Sequence, residues 1–232
     1  MHLAWSPDKY EFVSVGKDHM VHCAFDQNKV VKKSGKSAST VSHSSVVWSK
    51  IKEAAIFTAG ADGKLYHWEN AAVVKMHEIC KGAVQSICSY MEGKQEVLLV
   101  GANNKAVFQF SFDGKAIQKL KEVQLEAVAR SIDYYEGNVL CGLKNGDIIV
   151  SSLKDWKPEV IMQSHSEGEC WGLEVIHLDN GEIRVLTAAD DNRILSYDLK
   201  KRGNLAEGFV KVENGKKKSK TKVMGGASSM ST

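Results

Sequence analysis

Five stretches of this chain repeat one pattern, and that repetition limits the folds open to it. Each stretch has a short apolar run, then Gly or Ala, then a turn of Asp, Asn, Lys or Gly, then a second run. They read EFVSVGKDHMVHCAFD (11–26), AAIFTAGADGKLYHWE (54–69), EVLLVGANNKAVFQFS (96–111), NVLCGLKNGDIIVSS (138–152) and RVLTAADDNRILSYD (184–198). Aligned on the turn, the units recur at Asp18, Asp62, Asn103, Lys144 and Asp191, at intervals of 41 to 47 residues. Short runs rich in Val, Ile, Phe and Tyr, bounded by Gly, Asn and Asp, predict strands. The turn residues suit a hairpin that drives φ above zero. A unit of this size cannot bury its apolar surface alone, so neighbouring units must stack.

Each unit also has an upstream strand: LAWSPD (3–8), VVWSK (46–50), AVQSICSY (83–90), AVARSIDYY (127–135) and CWGLEVI (170–176). Outer strands such as KVVKK (29–33) and AVVKM (72–76) follow most units. Four strands per unit at a period near 40–45 predict an all-β chain, a WD-repeat β-propeller with about five blades over residues 1–203. Residues 204–214 form a candidate closing strand. Residues 215–232 read as a basic Gly/Ser/Lys tail or linker with little to bury. Met1 stands only two residues ahead of an inner strand, so the sequence is read as an incomplete ring or a shortened protein.

Composition sets further bounds. The chain is 43% hydrophobic and 25% charged, as globular proteins are. No apolar run approaches the roughly 18 residues of a membrane helix. Asp8 and Lys9 interrupt any secretory h-region, and a cytoplasmic protein without a membrane partner is expected. The five Cys are scattered and lack a C-x-x-C pair, which favours reduced thiols. The net charge of +3 is uneven: KKKSKTK (216–222) holds five lysines, and without them the balance turns slightly acidic.

The segment SHSEGECWGLEV (164–175) carries two readings. Cys170 beside His165, Glu167 and Glu169 has the residue types of a nucleophilic site. The repeat register instead makes Cys170 a core position of an inner strand, where a thiol is inert. His165 then falls in the loop before the blade and pairs with Asp191 across it. His43 and Asp62 form the corresponding pair, since a buried polar group is costly without a partner. No catalytic residue, cofactor site or metal site is expected. Candidate partner contacts are Arg130 and Trp171, with Trp48, near the starts of inner strands, where loops reach one face of the ring. Lys216, Lys217, Lys218, Lys220 and Lys222 form a second candidate contact for an acidic partner. No aromatic residue alternates with these lysines, which argues against nucleic acid.

SHSEGECWGLEV followed by TAADDNRILSYDL resembles the blades of echinoderm microtubule-associated protein-like (EMAP-like) proteins, which carry a similar GH-x-x-GE-x-WGL segment. The basic run and GGASS (225–229) resemble the connection leaving the first propeller of that family. The likeness covers residues from about 127 onward best. It implies a cytoskeletal role: binding tubulin or microtubules, in a cilium or a spindle. The family's coiled coil, its hydrophobic opening motif and its second propeller have no counterpart in this sequence. Two other functions fit the residues: an adaptor of a multiprotein complex binding through propeller loops, and an enzyme using Cys170.

Overall fold

The computed structural model describes residues 2–26, 29–35, 40–163, 169–198 and 227–230, and all regular structure in them is β. Twenty strands form five antiparallel sheets of four. Blade 1 contains β1 (His2–Trp5), β2 (Glu11–Gly16), β3 (His19–Asp26) and β4 (Lys29–Ser34). Blade 2 contains β5 (His43–Trp48), β6 (Ala55–Gly60), β7 (Lys64–Glu69) and β8 (Ala72–Glu78). Blade 3 contains β9 (Val84–Glu92), β10 (Gln95–Ala102), β11 (Ala106–Phe112) and β12 (Ile117–Gln124). Blade 4 contains β13 (Ala129–Tyr135), β14 (Asn138–Leu143), β15 (Asp147–Ser152) and β16 (Pro158–Gln163). Blade 5 contains β17 (Cys170–His177), β18 (Ile183–Ala189), β19 (Ile194–Asp198) and β20 (Ala227–Met230). This is the expected all-β, five-bladed propeller arrangement. The candidate strand at 204–214 lies outside the described residues. Among the described residues the fourth strand of blade 5 is 227–230, within the stretch that reads as a tail.

The turn between the second and third strands is the repeat's signature. One residue there has positive φ in every blade: Asp18, Gly63, Lys105, Gly146 and Asn192. At Gly63 glycine is required twice over. Its φ is +85°, and a Cβ would sit 2.2 Å from the Cys80 carbonyl oxygen.

Consecutive blades stack face to face. Val13, Val15 and Met20 of blade 1 share a core with Val46, Trp48, Ile56, Tyr66 and Trp68 of blade 2. The next junctions are built likewise, around Phe57 and Leu98, then Leu99 and Cys141, then Leu140 and Val185. Polar bonds cross the same junctions. Trp48 Nε1 donates to the Ala4 carbonyl (3.0 Å), Ser86 Oγ to the Ala129 carbonyl (3.0 Å), and the Val175 amide to Asp133 Oδ2 (3.1 Å). Glu96 is fully buried, and its carboxylate accepts from Ser49 Oγ (2.6 Å) and the Lys50 amide (3.0 Å) of the preceding blade. No comparable packing joins β17 or β18 to β1 among the described residues.

Blade 2 holds the best-defined internal polar chain. Trp68 Nε1 donates to Thr58 Oγ1 (2.8 Å), and Thr58 lies 3.1 Å from His43 Nδ1. Thr58 Oγ1 thus accepts the indole N–H and shares a second bond with His43 Nδ1, whose direction is set by the imidazole tautomer. Burial holds the His43 imidazole down to about 4 against an ordinary 6.5, despite the opposing charge of Asp62. Two tests follow. Thr58→Val leaves the buried indole N–H without its acceptor and should cost about 1–3 kcal/mol, read by urea unfolding. The unfolded imidazole takes up a proton near 6.5, whereas the folded one resists to about 4, so stability should fall as pH drops through that window. His43→Asn should flatten this slope.

Candidate functional site

The inner strands of four blades share an irregularity. In β5 the pairing to β6 steps from His43 to Ser45, and Ser44 is the extra residue. The same step leaves out Gln85 in β9, Arg130 in β13 and Trp171 in β17. A bulge releases one residue from the ladder and re-aims its side chain. All four bulge residues line one cavity of about 640 Å³ bordered by inner strands of all five blades.

Three of them join into a chain. Arg130 Nη1 donates to Gln85 Oε1 (2.5 Å), and the guanidinium lies 4.5 Å over the Trp171 ring, a cation–π stack. Arg130 Nη2 pairs with Glu169 Oε2 at 2.7 Å, and Lys144 Nζ lies 3.4 Å from Glu169 Oε1. Asp190 supports the assembly by accepting from Trp171 Nε1 and from the Glu169 amide. Trp171 remains 53% exposed while its ring is held from one side by the guanidinium and at its N–H by a carboxylate. An ordered, half-open aromatic beside a held Arg is the kind of anchor that dominates protein interfaces.

A second cavity, of about 560 Å³, is lined by His2, Trp48, Lys50, Asp133 and Glu174. Burial raises the Asp133 carboxyl above its ordinary range, and burial together with Asp133 raises Glu174.

The candidate residues read from sequence are placed as follows. Arg130 and Trp171 come together. Trp48 is buried between blades 1 and 2 as packing. His43 and Asp62 share blade 2, but the hydrogen bonds run elsewhere: His43 to Thr58, and Asp62 Oδ2 from Tyr66 Oη at 2.7 Å. Asp62 acts on His43 through its charge. Asp191 Oδ1 accepts the Arg193 amide at 3.1 Å within its turn. His165 and Lys216, Lys217, Lys218, Lys220 and Lys222 lie outside the described residues. Gln85, Lys144 and Asp190 were not among the candidates. For Gln85 a signal existed: it stands one blade before Arg130, at the same position of its inner strand.

Cys170 is fully buried, and burial pushes its thiol up to about 11, with the Asp191 charge adding to the rise. A protonated, inaccessible thiol is a poor nucleophile. All five cysteines are free. Among the described residues no three His, Cys, Asp or Glu side chains gather as a metal site, and no helix is long and apolar enough to cross a membrane. Alkylation at pH 8 followed by peptide mapping should modify half-buried Cys80 first and leave Cys170 unmodified until urea is added. Rapid labelling of Cys170 in the folded chain would contradict this burial.

No family model matches the chain. The chain is 32% identical, over 235 residues of alignment, to the ciliary WD repeat-containing protein ctxp80 of Euplotoides octocarinatus. The match takes in 99% of this chain and 30% of that relative, so the chain spans less than a third of the relative's length. WD-repeat propellers generally bind other proteins and serve as interaction scaffolds. The five-bladed arrangement is that of a β-propeller, and over this span the chain is similar to a WD-repeat protein.

Proposed function

We propose that this chain is a non-catalytic WD-repeat scaffold of the microtubule cytoskeleton that binds tubulin or microtubules in the cytoplasm, at a cilium or spindle. The observation that carries the reading is the likeness to a WD-repeat protein described as ciliary, over nearly the whole chain. The resemblance of SHSEGECWGLEV to EMAP-like blades points the same way. In this reading the Gln85–Arg130–Trp171 chain at the bulges is the specific anchor. The lysines of 216–222 add a salt-dependent attraction to acidic surfaces. The buried thiol of Cys170 supports a binding role over a nucleophilic one.

The bulge cluster also fits a broader reading, an adaptor that uses the same anchor for another protein of a complex. Co-sedimentation with stabilised microtubules separates the two. The full chain should pellet with microtubules, less so as salt rises. Trp171→Ala should weaken binding by roughly tenfold or more, the loss typical of a truncated aromatic hot spot, without lowering the melting temperature. Replacing the five lysines by Ser, which keeps 227–230 in the chain, should reduce binding at low salt and flatten its salt dependence. A full chain that stays in the supernatant at low salt would remove the microtubule reading and leave the adaptor.

A further inference from the structure

Arg130 is matched on two sides and mismatched on a third. Its Nη1 donates to Gln85 Oε1, and its plane lies over Trp171. Nε and Nη2 make up the remaining edge of the guanidinium, the fork that takes both oxygens of one carboxylate. Here that edge is half used. Nη2 meets Glu169 Oε2 at 2.7 Å, but the contact lacks hydrogen-bond alignment. Nε has no partner among the described residues, and both Nε and Oε2 are buried. A buried donor and a buried acceptor left unmatched side by side are costly, and such a pair in a folded protein calls for an explanation.

Glu169 also answers a second cation. Lys144, in the turn between β14 and β15, lies 3.4 Å from Glu169 Oε1, and its side chain is 55% exposed. One oxygen thus goes to each cation, and neither cation receives a whole carboxylate. The Glu169 amide is tied to Asp190 Oδ2 at 2.8 Å, so its side chain reaches Arg130 from a fixed point at the start of β17. A carboxylate arriving from outside is free of that constraint and can set both oxygens on Nε and Nη2. Asp190 does not compete for the fork, because it is engaged with Trp171 Nε1 and the Glu169 amide. Glu174 lies further along the inner strand, where it also borders the second cavity. Beside the fork, the half-open Trp171 ring offers apolar contact to neighbouring atoms of the same partner.

We infer that the Nε–Nη2 edge of Arg130 binds a carboxylate side chain of an acidic segment in a partner protein, with Lys144 beside it, and that Glu169 holds that place in the free protein. The inference rests on the bulge cluster being the binding site and names the chemistry that it recognises. The fork and Lys144 come from blade 4 and the Trp171 ring from blade 5, so a segment lying across the rim gains more than a lone small acid. Glu169 is then an internal competitor. It neutralises the fork until the partner displaces it, and it releases Lys144 as it leaves.

Fluorescence anisotropy tests this with a fluorescein-labelled peptide of alternating Glu and Gly, and with the same peptide carrying Gln for Glu. The full chain is used with Lys216, Lys217, Lys218, Lys220 and Lys222 replaced by Ser, which removes a second attraction for acid. The Glu peptide should bind and the Gln peptide should not. Arg130→Gln should weaken binding by about tenfold or more, the worth of a charge-assisted pair. Arg130→Lys keeps the charge, loses the fork and should fall between. Glu169→Gln removes the competitor and should tighten binding by up to about fivefold, a gain that misfolding cannot give. It decides the matter if Arg130→Gln lowers the melting temperature. No binding of the Glu peptide, equal binding of the Gln peptide, a folded Arg130→Gln variant of unchanged affinity, or a Glu169→Gln variant that binds no better would each overturn the inference. The microtubule reading fails separately: a chain that binds the peptide through Arg130 yet stays in the supernatant with microtubules loses that reading and keeps this one. Pelleting that depends on Trp171 without Arg130-dependent peptide binding sinks this inference alone.

Discussion

A blade of four strands has two faces and nothing of its own to cover them. Everything else in this structure depends on how that surface is removed from water. Blades 2, 3 and 4 each contribute one face to the blade before and one to the blade after, so the four buried apolar clusters among the described residues sit between blades. The inner strands crowd together around the axis, and their crowding accounts for the local requirements. Gly101 is one example: a Cβ there would stand 2.4 Å from Ser86 Oγ, which reaches across to blade 4. Burial of Glu96 is another. A carboxylate at 0% exposure is tolerable because it is spent on the donors of a neighbouring blade's turn.

The sequence made the number of blades and the turn register legible, because both are periodic. The turn at Asp18 is read directly, and its φ is positive as the hairpin demands. In blades 3 and 5 the positive φ falls on Lys105 and Asn192, two and one residues past the positions Asn103 and Asp191 on which the units align. The depth of Cys170 followed from its place in the inner strand. Other features had no periodic trace. The bulges shift the alternation by a single residue, which a pattern of short, broken runs absorbs without notice. The Ala227–Met230 strand pairs through backbone groups, and Ala-Ser-Ser-Met offers no apolar alternation to detect. In blade 2 a His and an Asp at suitable spacing suggested a direct bond. In the structure Thr58 lies next to His43 and Tyr66 next to Asp62, partners that become visible once strand pairing is known.

The candidate binding residues illustrate the same division. Arg130 and Trp171 were legible one at a time, as an aromatic and a cation near strand starts. Their stacking, and the inclusion of Gln85, Glu169 and Asp190, comes from three adjacent blades releasing the same register position toward one cavity. The candidate site is a property of the stack rather than of any single repeat.

The bulges have an evolutionary consequence. A residue that belongs to no ladder pair is freed from the alternation that governs its neighbours. Ser44, Gln85, Arg130 and Trp171 differ in size, charge and shape, yet the strands on either side keep the same pairing. Drift at these four sites is therefore cheap for folding and consequential for binding. A lineage could retarget such a ring by changing one letter per repeat, and a designer could build a library there with the frame left alone.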